Sequence, residues 1–574
     1  MTPRSFIWLF LGVLTALRLF YCSMVELSPD EAYYLQWSQH LAPSYFSKGP
    51  GVASTIWLST HLFGVSEFGI RAFSPLLALG TSLLLAGLAR RFFNEKTALW
   101  TVVLINCTPI FNAGGLVMTI DPLSIFFWTA ALGTFWRALE KSPAFSRWWP
   151  LTGALIGAGF LAKYTNAMQL LSIVLLLAVT PKYRRELRGP GFAALLGVFA
   201  LCTIPVLVWN AQHDWITLRH LGERGGLTDA PRFHPSEFFV YLGLHFGVYS
   251  PLIFGAMLVA LVWSWKKARA HFRPRFLLAF TLPLFALYFT LALKQTGEPN
   301  WTAPAMVSLA ILTAACWQEL AAERKWVRPF AVLALGFGAV LSLMMANTDL
   351  LRVAGYPLSF DRDPSARLRG WRDAAEKVET LRKDYEAELG QPVFLIANHY
   401  GTASALAFYL RDKRREGPGH PPIYCPMSAA PGNQFYFWPR YDGTVRYADL
   451  ARDLLPALEP APRAALTAAL AGLEVPGTPE QETLGRVRFL KELKEAAPHL
   501  GIDEQSSEEM GFSPFTGRTA LYITDRVKEK KPASSLMREF GRWKMITEFE
   551  ITERGLPLRQ FRVFACSDYR QPEL

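Results

Sequence analysis

Apolar runs of membrane-spanning length recur from Phe6 to Ala346, and a chain that carries so many of them must satisfy its backbone polar groups inside helices that cross a bilayer. The runs fall at Phe6–Val25, 69–89, 97–115, 120–139, 150–163, 166–181, 191–210, 240–263, 276–293, 301–318 and 327–346. They predict about eleven crossings of roughly 20 residues each. The first run lacks a small-residue cleavage site and is expected to be a retained span rather than a signal peptide. Asp30–His40 and Gly51–Phe63 are shorter and amphipathic, which suits helices lying in the interface over residues 30–63. Composition agrees: 51% of the 574 residues are hydrophobic and only 18% are charged.

The net charge of +12 does not imply nucleic-acid binding, because the basic residues sit in short clusters between apolar runs rather than on one face. With a cytoplasmic N-terminus the inner loops carry Arg90, Arg91 and Lys96; Arg137, Lys141 and Arg147; Lys182, Arg184, Arg185 and Arg188; Lys266, Lys267, Arg269, Arg273 and Arg275; and Arg324, Lys325 and Arg328. The outer segments carry fewer, and the positive-inside rule is obeyed throughout. Asp30, Lys48, Asp121, Lys163, Lys294 and Glu298 are then expected on one side, the extracytoplasmic one.

Residues 1–346 therefore read as a transmembrane domain and 347–574 as a soluble extracytoplasmic α/β domain. Gln391–Ala397, Arg518–Asp525 and Gln560–Ala565 read as strands, Thr402–Leu410 as a helix, and the Ala-, Pro- and Glu-rich stretch 454–510 as a helical or flexible insertion. Of six cysteines, four lie in apolar runs; Cys425 and Cys566 remain as either a disulfide or two thiols.

Ionisable groups at membrane depth need a partner or a task. Ser28-Pro-Asp-Glu31 fits a capping box, which gives Asp30 and Glu31 an ordinary structural reading. Asp121 before Pro122 fits a helix start, Lys163 fits interfacial snorkelling, and Lys48 fits a loop anchor. Collected on one face, the same groups describe a site for a substrate that is both lipid and anion: lysines neutralise a lipid phosphate and a carboxylate takes a proton from an attacking hydroxyl. Arg219, Arg224 and Arg232, with His213, His220 and His234, read as a solvated outer loop able to receive an acceptor. Gly153, Gly157 and Gly159 read as helix-packing glycines rather than a phosphate loop.

Pro29-Asp-Glu31, Tyr45-Phe-Ser-Lys-Gly-Pro50, Met118-Thr-Ile-Asp-Pro122 and Phe160-Leu-Ala-Lys-Tyr164 together resemble the GT-C glycosyltransferases of the protein O-mannosyltransferase and lipid A aminoarabinose transferase (ArnT-like) superfamily. The resemblance implies an α-helical polytopic membrane protein of GT-C type with a C-terminal extracytoplasmic α/β domain. It implies a bacterial inner-membrane enzyme that takes a sugar from a polyprenyl-phosphate donor and transfers it with inversion to a lipid or protein acceptor. On that resemblance Asp30, Glu31 and Asp121 are the catalytic acids, and Tyr45, Lys48, Lys163 and Tyr164 bind substrate. Lys294, Glu298 and Asn300, in a loop similar to one in many relatives, join the substrate set. A divalent metal at Asp30 is compatible with the resemblance but is not encoded by any ligand spacing. Where relatives often have Lys-Pro-Pro or Lys-Pro, this chain has Lys48-Gly49-Pro50. A transporter or flippase, or an envelope-assembly scaffold, are the other classes such a chain could serve; no inverted repeat favours the first.

Overall fold

The computed structural model describes residues 2–570 apart from 225–232, 354, 357, 359–362, 414–415, 417–418, 429, 444–446, 474–477, 497–512, 527 and 554. Arg232, assigned above to an outer loop, lies outside the described residues. The chain divides into two compact units, Met1–Arg369 and Gly370–Leu574. The first unit thus runs past the expected boundary at 346, because Arg369 turns back to pair with Asp349 and Asp363 at 3.0 Å each.

The first unit is helical. In chain order it contains α1 (Pro3–Cys22), α2 (Pro29–Gln39), α3 (Gly51–Phe63), α4 (Glu67–Arg71), α5 (Phe73–Phe92), α6 (Glu95–Cys107), α7 (Pro109–Gly114), α8 (Ile120–Lys141), α9 (Trp148–Ala162), α10 (Met168–Val179), α11 (Pro190–Gln212), α12 (Ile216–Arg224), α13 (Pro235–Val248), α14 (Pro251–Ala268), α15 (Phe272–Ala279), α16 (Leu282–Leu291), α17 (Ala303–Glu323), α18 (Val327–Ala346) and α19 (Asp349–Val353). Among the described residues seven segments are long and apolar enough to cross a membrane: Pro3–Cys22, Glu67–Phe92, Pro190–Gln212, Pro251–Ala268, Phe272–Leu291, Pro299–Glu323 and Val327–Ala346. The chain is a multi-span membrane protein, and exposed Trp8, Leu9, Leu17 and Phe20 on α1 are what a lipid-facing helix presents.

The expected count of about eleven crossings is not reproduced by length alone, and proline accounts for two of the differences. Run 97–115 breaks where Thr108 turns extended ahead of Pro109, so α6 ends and the short α7 begins. Run 240–263 breaks at Ser250, whose φ of 70° precedes Pro251 and separates α13 from α14. Gly153 and Gly157 pack as expected: a Cβ on either would meet the Leu195 carbonyl or Cys202 on α11.

The second unit holds α20 (Trp371–Leu389), β1 (Val393–Ala397), α21 (Tyr400–Tyr409), β2 (Thr519–Thr524), β3 (Phe540–Glu553) and β4 (Leu556–Tyr569). The sheet order is β1-β2-β4-β3, with β1 and β2 parallel and the remaining pairs antiparallel. Both parallel strands are buried along their whole length. Between β1 and β2, helices Tyr447–Leu454, Pro460–Leu473 and Pro479–Ala496 share a small apolar core through Leu466, Leu470, Phe489, Leu490 and Leu493. Cys425 and Cys566 are buried thiols, not a disulfide.

Candidate functional site

The start of α2 separates two adjacent carboxylates by role. Ser28 caps the helix, its Oγ accepting from the Glu31 N–H at 3.4 Å while Glu31 Oε2 accepts from the Ser28 N–H at 3.0 Å. Glu31 is fully buried and paired with Arg71 through two parallel bonds, 2.7 Å to Oε1 and 2.6 Å to Oε2. The Met118 N–H also donates to Oε1 at 2.9 Å. Arg71 sends further donors to the carbonyls of Val25 and Glu26, both at 2.7 Å. Glu31 thus ties α2 to the end of α1, to α4 and to the approach to α8, with no atom left for a substrate. Asp30, one residue earlier, faces outward; its side chain is 44% exposed, and its Oδ2 accepts from Arg367 at 3.3 Å.

The loop after α2 is built on Tyr45. Its ring stacks on Trp37 with centroids 4.4 Å apart, its hydroxyl donates to the Trp37 carbonyl at 3.0 Å, and its N–H donates to the Lys48 carbonyl at 3.0 Å. It is fully buried, so the expectation that it binds substrate is corrected: it holds the loop's shape. The loop then lies directly on the end of α9. A Cβ at Gly49 would sit 2.3 Å from the Leu161 carbonyl oxygen, and one at Gly51 would sit 2.9 Å from the Ala162 Cα. Only glycine at 49 and 51 permits that approach in this chain. Tyr164 braces the same seam, its hydroxyl 3.2 Å from Ser44 Oγ, which donates to the Lys48 carbonyl at 3.3 Å.

Across the seam, Asp121 in the first turn of α8 accepts from Lys163 Nζ at 2.7 Å and from Asn300 Nδ2 at 2.8 Å. Lys163 also donates to the Asn300 carbonyl at 3.3 Å. Asn166 holds the ends of α8 and α9 in register by donating to the Ser124 carbonyl at 3.0 Å while accepting from Ser124 Oγ. The turn that carries Asn300 rests on the Thr302 hydroxyl, which donates to the Pro299 carbonyl at 3.0 Å and lies 2.9 Å from buried His245 Nε2. Lys294 is half-buried and Glu298 exposed on the same segment.

Lys48 is where these pieces meet electrostatically. Burial pushes its ammonium down to about 8, helped by the positive charges of Arg224 and Lys163 and opposed by Asp121 and Asp30. Arg224, at the end of α12, lies over the Trp301 ring at 5.7 Å, and the Phe46 ring lies 4.6 Å from His220. Burial, then Lys48 and Arg224, hold the His220 imidazole below its ordinary value. Arg224, expected in a solvated outer loop, is exposed at the end of α12 and adds its charge to the field at Lys48.

Among the described residues no group of three or more His, Cys, Asp or Glu side chains converges as a metal site. Asp30 faces an arginine and Glu31 is saturated, so the donor set does not fit a divalent metal at Asp30.

The sequence profile of the dolichyl-phosphate-mannose-protein mannosyltransferase family matches residues 47–209. A lipid A galacturonosyltransferase, RgtD, of Rhizobium johnstonii is 28% identical over 54% of this chain and 65% of its own length. An undecaprenyl phosphate-alpha-4-amino-4-deoxy-L-arabinose arabinosyl transferase of Edwardsiella ictaluri is 25% identical over 58% of this chain and 63% of its own. The chain is similar to these transferases over the matched stretches. The matched stretch spans just under two thirds of the length of either curated relative. The structure of ArnT from Cupriavidus metallidurans bound to undecaprenyl phosphate aligns with 98% of this chain and 99% of its own at 16% identity, with a TM-score of 0.49. The family profile takes in Lys48, Asp121, Lys163 and Tyr164, whereas Asp30, Arg224 and Asn300 lie outside it and are joined to those residues by the fold.

Proposed function

We propose that the protein is a membrane glycosyltransferase that moves a sugar from a polyprenyl-phosphate donor to an envelope acceptor, lipid or protein, on the extracytoplasmic face. One observation carries this reading: Lys163 and Asp121 pair at 2.7 Å at the end of α9, the loop of Lys48 packs directly on that end, and Lys48 feels the charges of Lys163, Arg224, Asp121 and Asp30. Two carboxylates there offset three cations, leaving an excess suited to a phosphate on a lipid carrier. The excess matters most in the transition state. As the bond from the sugar's anomeric carbon to the phosphate oxygen breaks, the electron pair leaves with the polyprenyl phosphate, and fixed cations stabilise the growing charge without reorganising. Asp121 keeps Lys163 aimed, and Asn300 keeps Asp121 in place.

Attack by an acceptor oxygen on the face opposite the departing phosphate inverts the anomeric centre. Asp30, half exposed at a fixed helix start, is the base for a hydroxyl acceptor; for an acceptor phosphate, already ionised, it positions rather than deprotonates. A lipid acceptor is favoured over a protein, although α2, expected as an amphipathic interfacial helix, is buried from Glu31 to Ser38. The names of the relatives, which are lipid A and undecaprenyl-phosphate transferases, support the donor class and this acceptor class.

The test is transfer by the purified protein in lipid nanodiscs supplied with undecaprenyl-phosphate-linked sugars and lipid A, read by mass spectrometry. Sugar addition that is lost in Lys48→Ala and Asp30→Ala variants with unchanged folding is expected. Full transfer by both variants would remove these residues from the site.

A further inference from the structure

His245, on α13, is fully buried among aromatic rings, with those of Tyr241, Tyr249, Phe254 and Phe289 centred 4.5–5.6 Å from its own. An imidazole in such a place loses its water, and the loss is offset only if both ring nitrogens find partners. Nδ1 lies 2.8 Å from the Tyr241 carbonyl one turn back. A carbonyl only accepts, so a proton sits on Nδ1, and an uncharged ring then presents Nε2 as an acceptor. Nε2 meets a distant partner, the Thr302 hydroxyl at 2.9 Å, 57 residues along the chain.

Thr302 closes the turn Pro299–Thr302, which has no side-chain cap of its own. Its hydroxyl hydrogen is shared between Nε2 and the Pro299 carbonyl, 2.9 and 3.0 Å away. The Tyr249 hydroxyl, 3.4 Å from both Thr302 Oγ1 and that carbonyl, covers the carbonyl when Thr302 turns to the imidazole. The same turn carries Asn300, whose amide donates to Asp121 Oδ2 at 2.8 Å and whose carbonyl accepts from Lys163 Nζ at 3.3 Å. What fixes the turn therefore fixes the ion pair from outside it.

We propose that His245 is a positioning residue for transfer: through Thr302 it holds the Pro299–Thr302 turn where Asn300 can orient the Asp121–Lys163 pair. The kinetic consequence rests on the transfer reading; the placement of Asn300 rests on geometry alone. A phenylalanine at 245 would fill the aromatic site and leave Thr302 without its nitrogen acceptor, so packing and positioning are separable.

Transfer kinetics in nanodiscs, with cryo-electron microscopy of the same variants, test it. His245→Phe is expected to lower kcat at least about tenfold while donor KM changes by less than about threefold. Thr302→Val cuts the same contact from the turn and is expected to match it; it also stands in if His245→Phe does not fold. His245→Gln, whose amide tip returns an acceptor oxygen near the Nε2 position, is expected to recover kcat to within about threefold of the unaltered protein. In an Asn300→Ala background, His245→Phe is expected to cost less than about twofold more, because its effect passes through Asn300. The structures of His245→Phe and Thr302→Val are expected to show Asn300 Nδ2 beyond hydrogen-bonding reach of Asp121. That readout needs no transfer, so an unaltered protein that moves no sugar overturns the transfer reading, while the position of Asn300 still decides this one. An Asn300–Asp121 contact unchanged in both variants, losses that multiply with Asn300→Ala, or a His245→Gln variant no better than His245→Phe overturns it.

Discussion

Lys163 Nζ lies 2.7 Å from Asp121 Oδ1, and the pair links the end of α9 to the start of α8 through a side chain only 6% exposed as a residue. An ion pair so little hydrated is costly to break on one side only, because the surviving charge loses its partner but stays buried. Asp121→Asn and Lys163→Met should each lower transfer by about 10²–10³. The double variant should be no worse than the poorer single variant, since the two act as one unit. A double-mutant cycle on donor turnover checks this; simple multiplication of the two losses would separate them.

Lys48 gives the site a pH limit. Its ammonium falls to about 8, so above that pH the free protein increasingly carries a neutral amine. Donor phosphate requires the charged form, so apparent donor affinity should be flat below about pH 8 and weaken above it, by up to about tenfold per unit. Stability moves the other way. Between about 8 and the ordinary 10.5 the unfolded chain holds more protons at this position than the folded one, so this group makes the fold more stable as pH rises. A KM profile measured alongside thermal unfolding separates the two effects.

Arg224 depresses Lys48 and should be readable through it. Arg224→Ala removes the positive charge that, after burial, lowers Lys48 most, so the alkaline limb of the donor KM profile should move to higher pH. Donor affinity at neutral pH should fall as a cation is lost. An unmoved limb would mean that Arg224 does not sense Lys48.

Gly49 is a steric requirement with a functional readout. Gly49→Ala places a Cβ against the Leu161 carbonyl and should force the Lys48 loop away from α9. The expected stability cost is about 1–3 kcal/mol. Donor KM should rise with it, while Gly87→Ala on α5, where a Cβ meets no atom, should leave donor KM unchanged. Thermal unfolding and donor titration of the two variants check the comparison.

Much of this was legible in the residues, for physical reasons that also mark where legibility ended. The capping box at Ser28-Pro-Asp-Glu31 is a local signal, and the helix forms there with the expected reciprocal bonds. What local sequence does not carry is the partner: Arg71 lies 40 residues away from Glu31, so a carboxylate expected in the chemistry is committed to structure. Tyr45 was misplaced for a similar reason, since its motif position says nothing of the Trp37 ring that covers it. β1 and β2 were readable as apolar runs, but β3 was not, because it is an edge strand with mostly polar, solvent-facing residues such as Lys544, Glu548 and Glu550. The apolar runs do not show the breaks ahead of Pro109 and Pro251, where α6 gives way to the short α7 and α13 to α14.

The Glu31–Arg71 pair sets a condition on how the chain can be made. A nascent chain that has inserted α1 and α2 but not yet released residue 71 carries a glutamate with no cation to meet it and α1-end carbonyls at Val25 and Glu26 with no guanidinium to bind. The first helix is therefore not an independent anchor to which the rest is added. The segment from Pro3 to Arg71 must settle as one insertion unit, and Asp30 reaches its place only when that unit closes.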